Sequence, residues 1–573
     1  MPNQDASQNR QLSGDLTWTK GPHSIKFGVQ AYWLETNFDS SQTSSGTYTF
    51  NGEYTSHNGQ YTNSANNYGF ADFLLGYASA SSLSTYSKLN FRVPETHFFV
   101  QDDWKVNRRL TLNLGLRYEL TPPAVDTHNA IANCEMNADP YITAPAPQLV
   151  FAGTNGNDVA SRALQNVNYH QFAPRFGFAY SLNSKTVLRG GYGIFYSNFI
   201  TIGGMSSMEK NPPFSVVVNL SPTSKTKPSV FLQNGFPAGA LSVANATNVQ
   251  LISYDQRDLI PTDYQWNLNI QRELPGGIVL EVGYEANNFD HNWWSIDGNP
   301  APPTANPIGS LNSRRIYTSA LVPGSANPIT LANIVRIQKD GYSRYNALQT
   351  KIEKRYSNGV SFIASYAYSK TMALGDATGV QNFANWNADY SVAAQDLTHH
   401  FVGSVIYELP FGRGKKFGDH WNSFANAVLG GWSIDPIVTV SSGFPVNLTD
   451  STDPSNTGTA YDRPNVIGNW HLANPTVNEW FNTSAFAINA PGTFGDAGRN
   501  ILRAPGLFNL DLAAHKSFQL TERFSAQLRV ESFNFTNTPP LAAPNAQLGS
   551  SGFGQITSAG TPRENQLALK FYF

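Results

Sequence analysis

The chain has 573 residues, a formal net charge of -2, 14% charged residues and 13% aromatic ones; so even a balance argues against a general binder of nucleic acid or anionic membrane, which carries a basic excess. Its single cysteine, Cys134, excludes an internal disulfide and any multi-thiolate metal site. Mean hydropathy is -0.32 and no stretch approaches the ~18 to 20 apolar residues of a membrane-spanning helix, while the opening MPNQDASQNRQLSGD has neither the basic n-region nor the apolar h-region of an export signal.

In chain order, the first tight-turn signals are Thr19-Lys20-Gly21-Pro22 and Val106-Asn107-Arg108. RLTLNLGLRYEL follows, with Leu110, Leu112, Leu114, Leu116, Tyr118 and Leu120 on one strand face and Thr111, Asn113, Gly115, Arg117 and Glu119 on the other. Beyond the turn Leu182-Asn183-Ser184, DYQWNLNIQREL sets Tyr264, Trp266, Leu268 and Ile270 against Gln265, Asn267, Asn269 and Gln271. Leu274-Pro275-Gly276-Gly277 turns into GIVLEVGYEA, and Tyr356-Ser357-Asn358-Gly359 into GVSFIASYAYS. The link 411 to 428 is looser. LFNLDLAAHKSF, the turn Gln519-Leu520-Thr521-Glu522 and ERFSAQLRVESF lead to the final ENQLALKFYF, where Leu567, Leu569, Phe571 and Phe573 alternate with Gln566, Ala568, Lys570 and Tyr572. Between the hairpins lie long polar stretches: 36 to 84, 121 to 171, 198 to 261, 287 to 342, 370 to 398, 444 to 506 and 536 to 561.

Short turns at one rim and long loops at the other predict an all-β fold, a transmembrane antiparallel up-and-down β-barrel. A propeller or a row of sandwiches would also alternate, but it repeats every ~20 to 50 residues and no such period is present. Sandwich strands have ~5 to 6 residues, whereas these read as about 10 to 13, the length that crosses a bilayer at a tilt. In a barrel the last strand pairs with the first, and Phe573 sits at the periplasmic interface with its ring in lipid and its carboxylate in water. Counting back from a periplasmic Phe573 gives about 15 strands, an odd number, whereas a complete barrel has an even count and both ends inside. The expectation is therefore a chain that lacks its beginning.

HFFVQDDWKVNRRLTLNLGLRYEL, NALQTKIEKRYSNGVSFIASYAYSK, HHFVGSVIYELPFGRG, GTFGDAGRNILRAPGLFNLDLAAHKSF and the closing strand resemble the TonB-dependent receptor family, in particular its Oar-like outer-membrane barrels, abundant in Acidobacteria and related Gram-negative bacteria. The resemblance runs from about Gln11 to Phe573. It implies a signal peptide, a carboxypeptidase-regulatory-like sandwich, a plug and a barrel of roughly 22 strands; of these, residues 1–573 would supply about 15 C-terminal strands, with the plug and the sandwich absent. It also implies energised uptake of a bulky solute into the periplasm, driven by the inner-membrane TonB complex through the missing N-terminal region. The ending resembles the signal read by the barrel-assembly machinery: Gln566, Phe571 and Phe573 fit, and Ala568 stands where glycine is expected.

No HExxH, GxSxG, phosphate loop or paired CxxC occurs, so no enzyme and no cofactor are expected. His399 and His400 are adjacent on an extended chain and point opposite ways. The oxygen-rich stretch Asp450 to Asp462 spaces Asp450, Asp453 and Asn456 by three, not by the two of an EF-hand. Asp102 and Asp103 occupy both faces of one strand, which puts one of them toward lipid unless it lies near the periplasmic rim. Alternation sends Asn113, Arg117 and Glu119 into the lumen, with Gln265 and Asn267, Glu281 and Glu285, Gln349, Lys351 and Glu353, Asp511, Arg529 and Glu531. Trp293, Trp294, Tyr342 and Trp386 are external-loop candidates for stacking on a ligand. The alternative reading is a surface barrel with no transport role, an adhesin or structural protein.

Overall fold

The computed structural model describes residues 4–573 except 41–43, 57–67, 137–145, 198–204, 206, 221–227, 229, 326, 376–378 and 460. The period-two segments form one antiparallel meander: β1 (Gln4–Lys20), β2 (His23–Ser40), β3 (Ser87–Lys105), β4 (Leu110–Leu120), β5 (Phe172–Asn183), β6 (Thr186–Tyr196), β7 (Thr262–Leu274) and β8 (Ile278–Asp297). It continues through β9 (Ile329–Ser357), β10 (Val360–Leu374), β11 (His399–Glu408), β12 (Trp432–Ser441), β13 (Leu507–Gln519), β14 (Ser525–Phe533) and β15 (Glu564–Tyr572). Each pairs with the next, and short and long connections alternate. At the two-residue turn between β9 and β10, Asn358 (φ 54°) and Gly359 (φ 76°) supply the two positive φ values that a type I′ hairpin requires.

Register keeps the faces separate across the sheet. Asn113 lies opposite Gly177, which lies opposite Gly191, then Asn267, Glu285, Ala347 and Ser369 in turn. Directly paired residues point the same way, so this row marks one polar face through seven strands. The other face is apolar and bare: Leu12 is 67% exposed, Leu268 50% and Leu567 72%. Water does not tolerate so wide an apolar surface; lipid does.

The buried clusters lie at the long-connection end. Leu89, Phe91, Met205, Met208, Ile252 and Ile337 form one, Leu149, Leu251, Leu331 and Ile334 a second, and Leu448, Phe481, Phe486 and Leu502 a third. The roof over the barrel is thus a water-type core, built where backbone leaves the bilayer.

Two expectations are corrected. The stretch 287 to 342 is not one loop: β8 runs to Asp297 and β9 starts at Ile329, so Trp293, Trp294 and Tyr342 stand on sheet strands. A register shift near His291, whose φ is 62°, interrupts the alternation, and the ladder resumes at Trp294 opposite Gln338. The expected length of about 10 to 13 residues fails for six strands, β1, β2, β3, β8, β9 and β10, which have 15 or more and reach 29 in β9, where the strand continues into the roof. Among the described residues β15 pairs with β14 alone, and no ladder joins it to β1.

Candidate functional site

The lumen candidates all fall on the polar face, where they engage one another. Arg117 bonds Glu119 at 2.8 Å and Gln30 of β2 at 2.9 Å; Asn113 donates to Asp103 at 2.6 Å. Gln349 donates to Glu285 at 2.9 Å, Lys351 pairs with Glu353 and Arg529 with Glu531, both at 2.7 Å. Gln265 donates to Asp263 at 2.6 Å, Asn267 accepts from Asn269 at 3.4 Å, and Glu281 lies opposite Lys351 in the ladder. Asp511 caps the chain beyond β14, accepting from the Asn534 amide at 2.8 Å. They line a surface rather than converge on a point.

Convergence occurs above them, in the roof. Val249–Tyr254, a short strand, runs parallel to β9, with Ile252 opposite Val335 and Tyr254 opposite Ile337. Its other edge would leave buried amides bare, and two buried asparagines meet them. Asn211 accepts from the Ile252 amide at 2.7 Å and donates to the Ile252 carbonyl at 2.8 Å; Asn133 does the same for Tyr254, at 2.7 and 2.9 Å. This pinning delivers the next residues, Asp255 to Arg257, to the rim of a cavity of about 740 Å³.

Five chain segments line that cavity: Asn133–Met136, Asn166, Ser253–Arg257, the upper part of β9 from Arg336 to Asp340, and Trp386 from the connection after β10. Asp255 holds Arg257 by a fork, Nε at 2.9 Å and Nη2 at 2.5 Å, and Arg257 reaches on to Asp340 at 3.4 Å. Asp340 also accepts from Nε1 of Trp294 at 3.2 Å. Lys339 sits behind, its Nζ 3.0 Å from the Arg257 carbonyl and 5.0 Å from the Tyr254 ring centre. Gln256 donates to Glu135 at 2.9 Å.

Burial acts on these charges. It pushes the Lys339 amine down to about 8 against the pull of Asp255, and it lowers Arg336. Burial alone would raise Asp255, but the bonds and charge of Arg257, with Lys339, outweigh it and hold the carboxyl below its ordinary value. The Cys134 thiol is pushed up to about 12, by burial and then by Glu135, so it is an inert wall atom.

The aromatic candidates divide. Trp294 is 3% exposed, packed with Ile296, Leu374 and Phe383, its ring centre 6.0 Å from Trp386. Gly375 (φ 80°) closes over it, where any Cβ would meet the Trp294 ring at 2.8 Å. Tyr342 packs on Tyr390 at 5.1 Å. Trp293 is half-exposed and outside the cavity, and Trp386 alone of the four lines it. In the stretch Asp450 to Asp462 the carboxylates serve their own loop, Asp453 accepting from Ser455, Thr457 and Gly458. His399 bonds Tyr366 at 2.8 Å, on the opposite side of its strand from His400. Among the described residues no three His, Cys, Asp or Glu are placed to hold a metal.

Sequence reasoning missed Asp255, Arg257, Arg336, Gln338 and Asp340. A signal was available: in RIQKDGY, Arg336, Gln338 and Asp340 share one face at period two.

A family profile described as an outer membrane beta barrel domain matches residues 1–566. Among solved structures, the outer membrane transporter YddB from Escherichia coli matches with a TM-score of 0.53 at 9% identity, over 99% of this chain and 54% of that one. The FrpB iron transporter from Neisseria meningitidis matches with a TM-score of 0.43 at 11% identity, over 100% and 55%. The chain thus spans about half the length of the solved structures it resembles, and the likeness is one of fold. No curated protein sequence matches.

Proposed function

Because the chain belongs to the outer membrane beta barrel domain family, and so resides in the outer membrane as a multi-pass β-barrel, we propose that it forms the barrel of a TonB-dependent receptor that takes up a bulky solute. The observation that carries the reading is the division of the molecule: a bare apolar face for lipid, a bonded polar face for water, and a buried roof enclosing a charged cavity at the long-connection end. An adhesin would need the first of these but not a charged cavity of ligand size in the roof.

The outer edges of β1 and β15 have no ladder partner among the described residues, which favours taking these strands as the C-terminal portion of a larger wall, completed by further strands and a plug. On this reading the inner-membrane complex acts through that plug, the polar side chains from Asn113 to Glu531 face it, and the protein is a carrier with no catalytic role. The test is solute entry. The chain is expressed with its upstream coding region and assayed for outer-membrane location and for accumulation of radiolabelled oligosaccharides and ferric chelates in cells with and without a functional TonB complex. Uptake of one of them that needs the complex is expected. Outer-membrane location with no uptake of any would leave the surface-protein reading standing instead.

A further inference from the structure

Gln338 is 2% exposed, lines the roof cavity, and its Nε2 has no hydrogen-bond partner among the described residues. A buried donor without an acceptor keeps its desolvation cost uncompensated, and native folds leave few of them. Around it the lining mixes both signs: Glu135, Asp255 and Asp340 against Arg257 and Arg336, with Lys339 behind. A ferric chelate or other polyanion would face three carboxylates there, and a polycation two guanidiniums. A ligand made of hydroxyls would not, since each hydroxyl donates to a carboxylate and accepts from a guanidinium or an amide. Trp386, backed by Trp294 and Phe383, adds a broad apolar ring to the same cavity, the partner that the C–H face of a pyranose stacks on. At about 740 Å³ the space is of ligand size.

We propose that this cavity is a binding subsite for a neutral, polyhydroxylated ligand, a short oligosaccharide, with Trp386 as stacking platform and Gln338, the Asp255–Arg257 fork and Asp340 as hydroxyl partners. The inference rests on the solute-receptor reading and names the class of solute.

Its test is equilibrium binding by the full chain in detergent, which needs no energised transport. The probes are maltotetraose, cellotetraose and xylotetraose, with ferric citrate as the counter-probe. At least one tetrasaccharide should bind and change tryptophan fluorescence; Trp386→Leu should weaken it about tenfold or more and Gln338→Met about tenfold, the loss of one stacking or hydrogen-bonding partner. Trp293→Leu, outside the cavity, should bind as the parent does. Circular dichroism melting separates lost binding from lost folding, and Gln338→Met keeps the side chain's length where Trp386→Leu disturbs the roof. Absence of binding by all three sugars, binding of ferric citrate alone, or sugar binding untouched by both substitutions would overturn the proposal. Uptake of another solute by cells that show no such binding would remove this inference and leave the receptor reading intact.

Discussion

His23 Nδ1 lies 2.7 Å from Asp102 Oδ2 on the apolar face of the sheet, and the His23 ring stacks on Trp104 at 5.2 Å. Asp102 is opposite Ile25 and Leu114 in the ladder, so its carboxylate stands among lipid-facing neighbours, close to the short turns that join β1 to β2 and β3 to β4. Its partner Asp103 takes the other face and bonds Asn113. A rim position answers the puzzle of adjacent aspartates, and the histidine is the hydrogen-bond partner of the outward one.

Removing the histidine should therefore cost more than removing the acid. His23→Ala leaves the Asp102 carboxyl on the apolar face without its histidine, and among the described residues its Oδ1 already has no partner; about 1–3 kcal/mol of stability should be lost. Asp102→Leu should be close to neutral. Urea unfolding in lipid vesicles, followed by tryptophan fluorescence, measures both. Equal losses in the two variants would mean that the pair matters only as a pair.

The roof is locked by a buried ion pair. Arg463, itself bonded to the Ala497 carbonyl at 2.8 Å, meets Asp389, and the two side chains are 5% and 1% exposed. Asp389→Ala strands the guanidinium and should destabilise the roof by about 3–5 kcal/mol, while the double change Asp389→Ala with Arg463→Met should recover part of that. Limited proteolysis of the connections after β10 and β12 reports the roof, and heat-modifiable migration on a gel reports the wall. Loss of the wall in the single variant would show that the two are not separable.

Lys339 gives a pH signature. Burial holds its folded value at about 8 against an ordinary 10.5, so between those values the unfolded chain carries more protons than the folded one. Stability contributed at this site falls as pH drops through that window, and the full cost, about 3 kcal/mol, is present below 8. The charged and titratable groups facing it are Asp255, Arg257 and Asp258, with Tyr254 beneath. Lys339→Met should melt above the parent at pH 7, with the gap closing toward pH 10.5. A gap that stays constant with pH would assign the difference to packing.

The last strand should matter for insertion. Phe571 and Phe573 are 61% and 95% exposed on the apolar side, and Gln566 lies opposite Glu531. Deleting Phe573 should cut the folded, heat-modifiable protein in the outer membrane several-fold, and Phe573→Trp should restore it, since either ring suits the interface. Unchanged levels on deletion would show that the assembly machinery does not read this residue.

The sheet was legible because one physical constraint writes it. With lipid on one side and water on the other, each crossing must alternate, and RLTLNLGLRYEL or ERFSAQLRVESF shows it without tertiary context. The roof obeys different rules. The strand Val249–Tyr254 is buried on both sides only from Leu251 to Tyr254, which reads as a brief apolar run, LISY, inside a polar stretch. Its partners, Asn133, Asn211 and β9, are distant in sequence, so nothing local announces the parallel pairing or the cavity it builds. Trp294 was legible as an aromatic but not as a buried one, because the bulge near His291 hides the resumption of the strand.

The separation of the buried clusters from the wall bears on how such a molecule changes over generations. Residues that satisfy lipid and residues that shape the cavity seldom coincide, so drift in the roof leaves the crossings untouched. A lineage can vary the connections while inheriting the same crossings, so the inheritable unit of cavity shape is a set of connections rather than a fold.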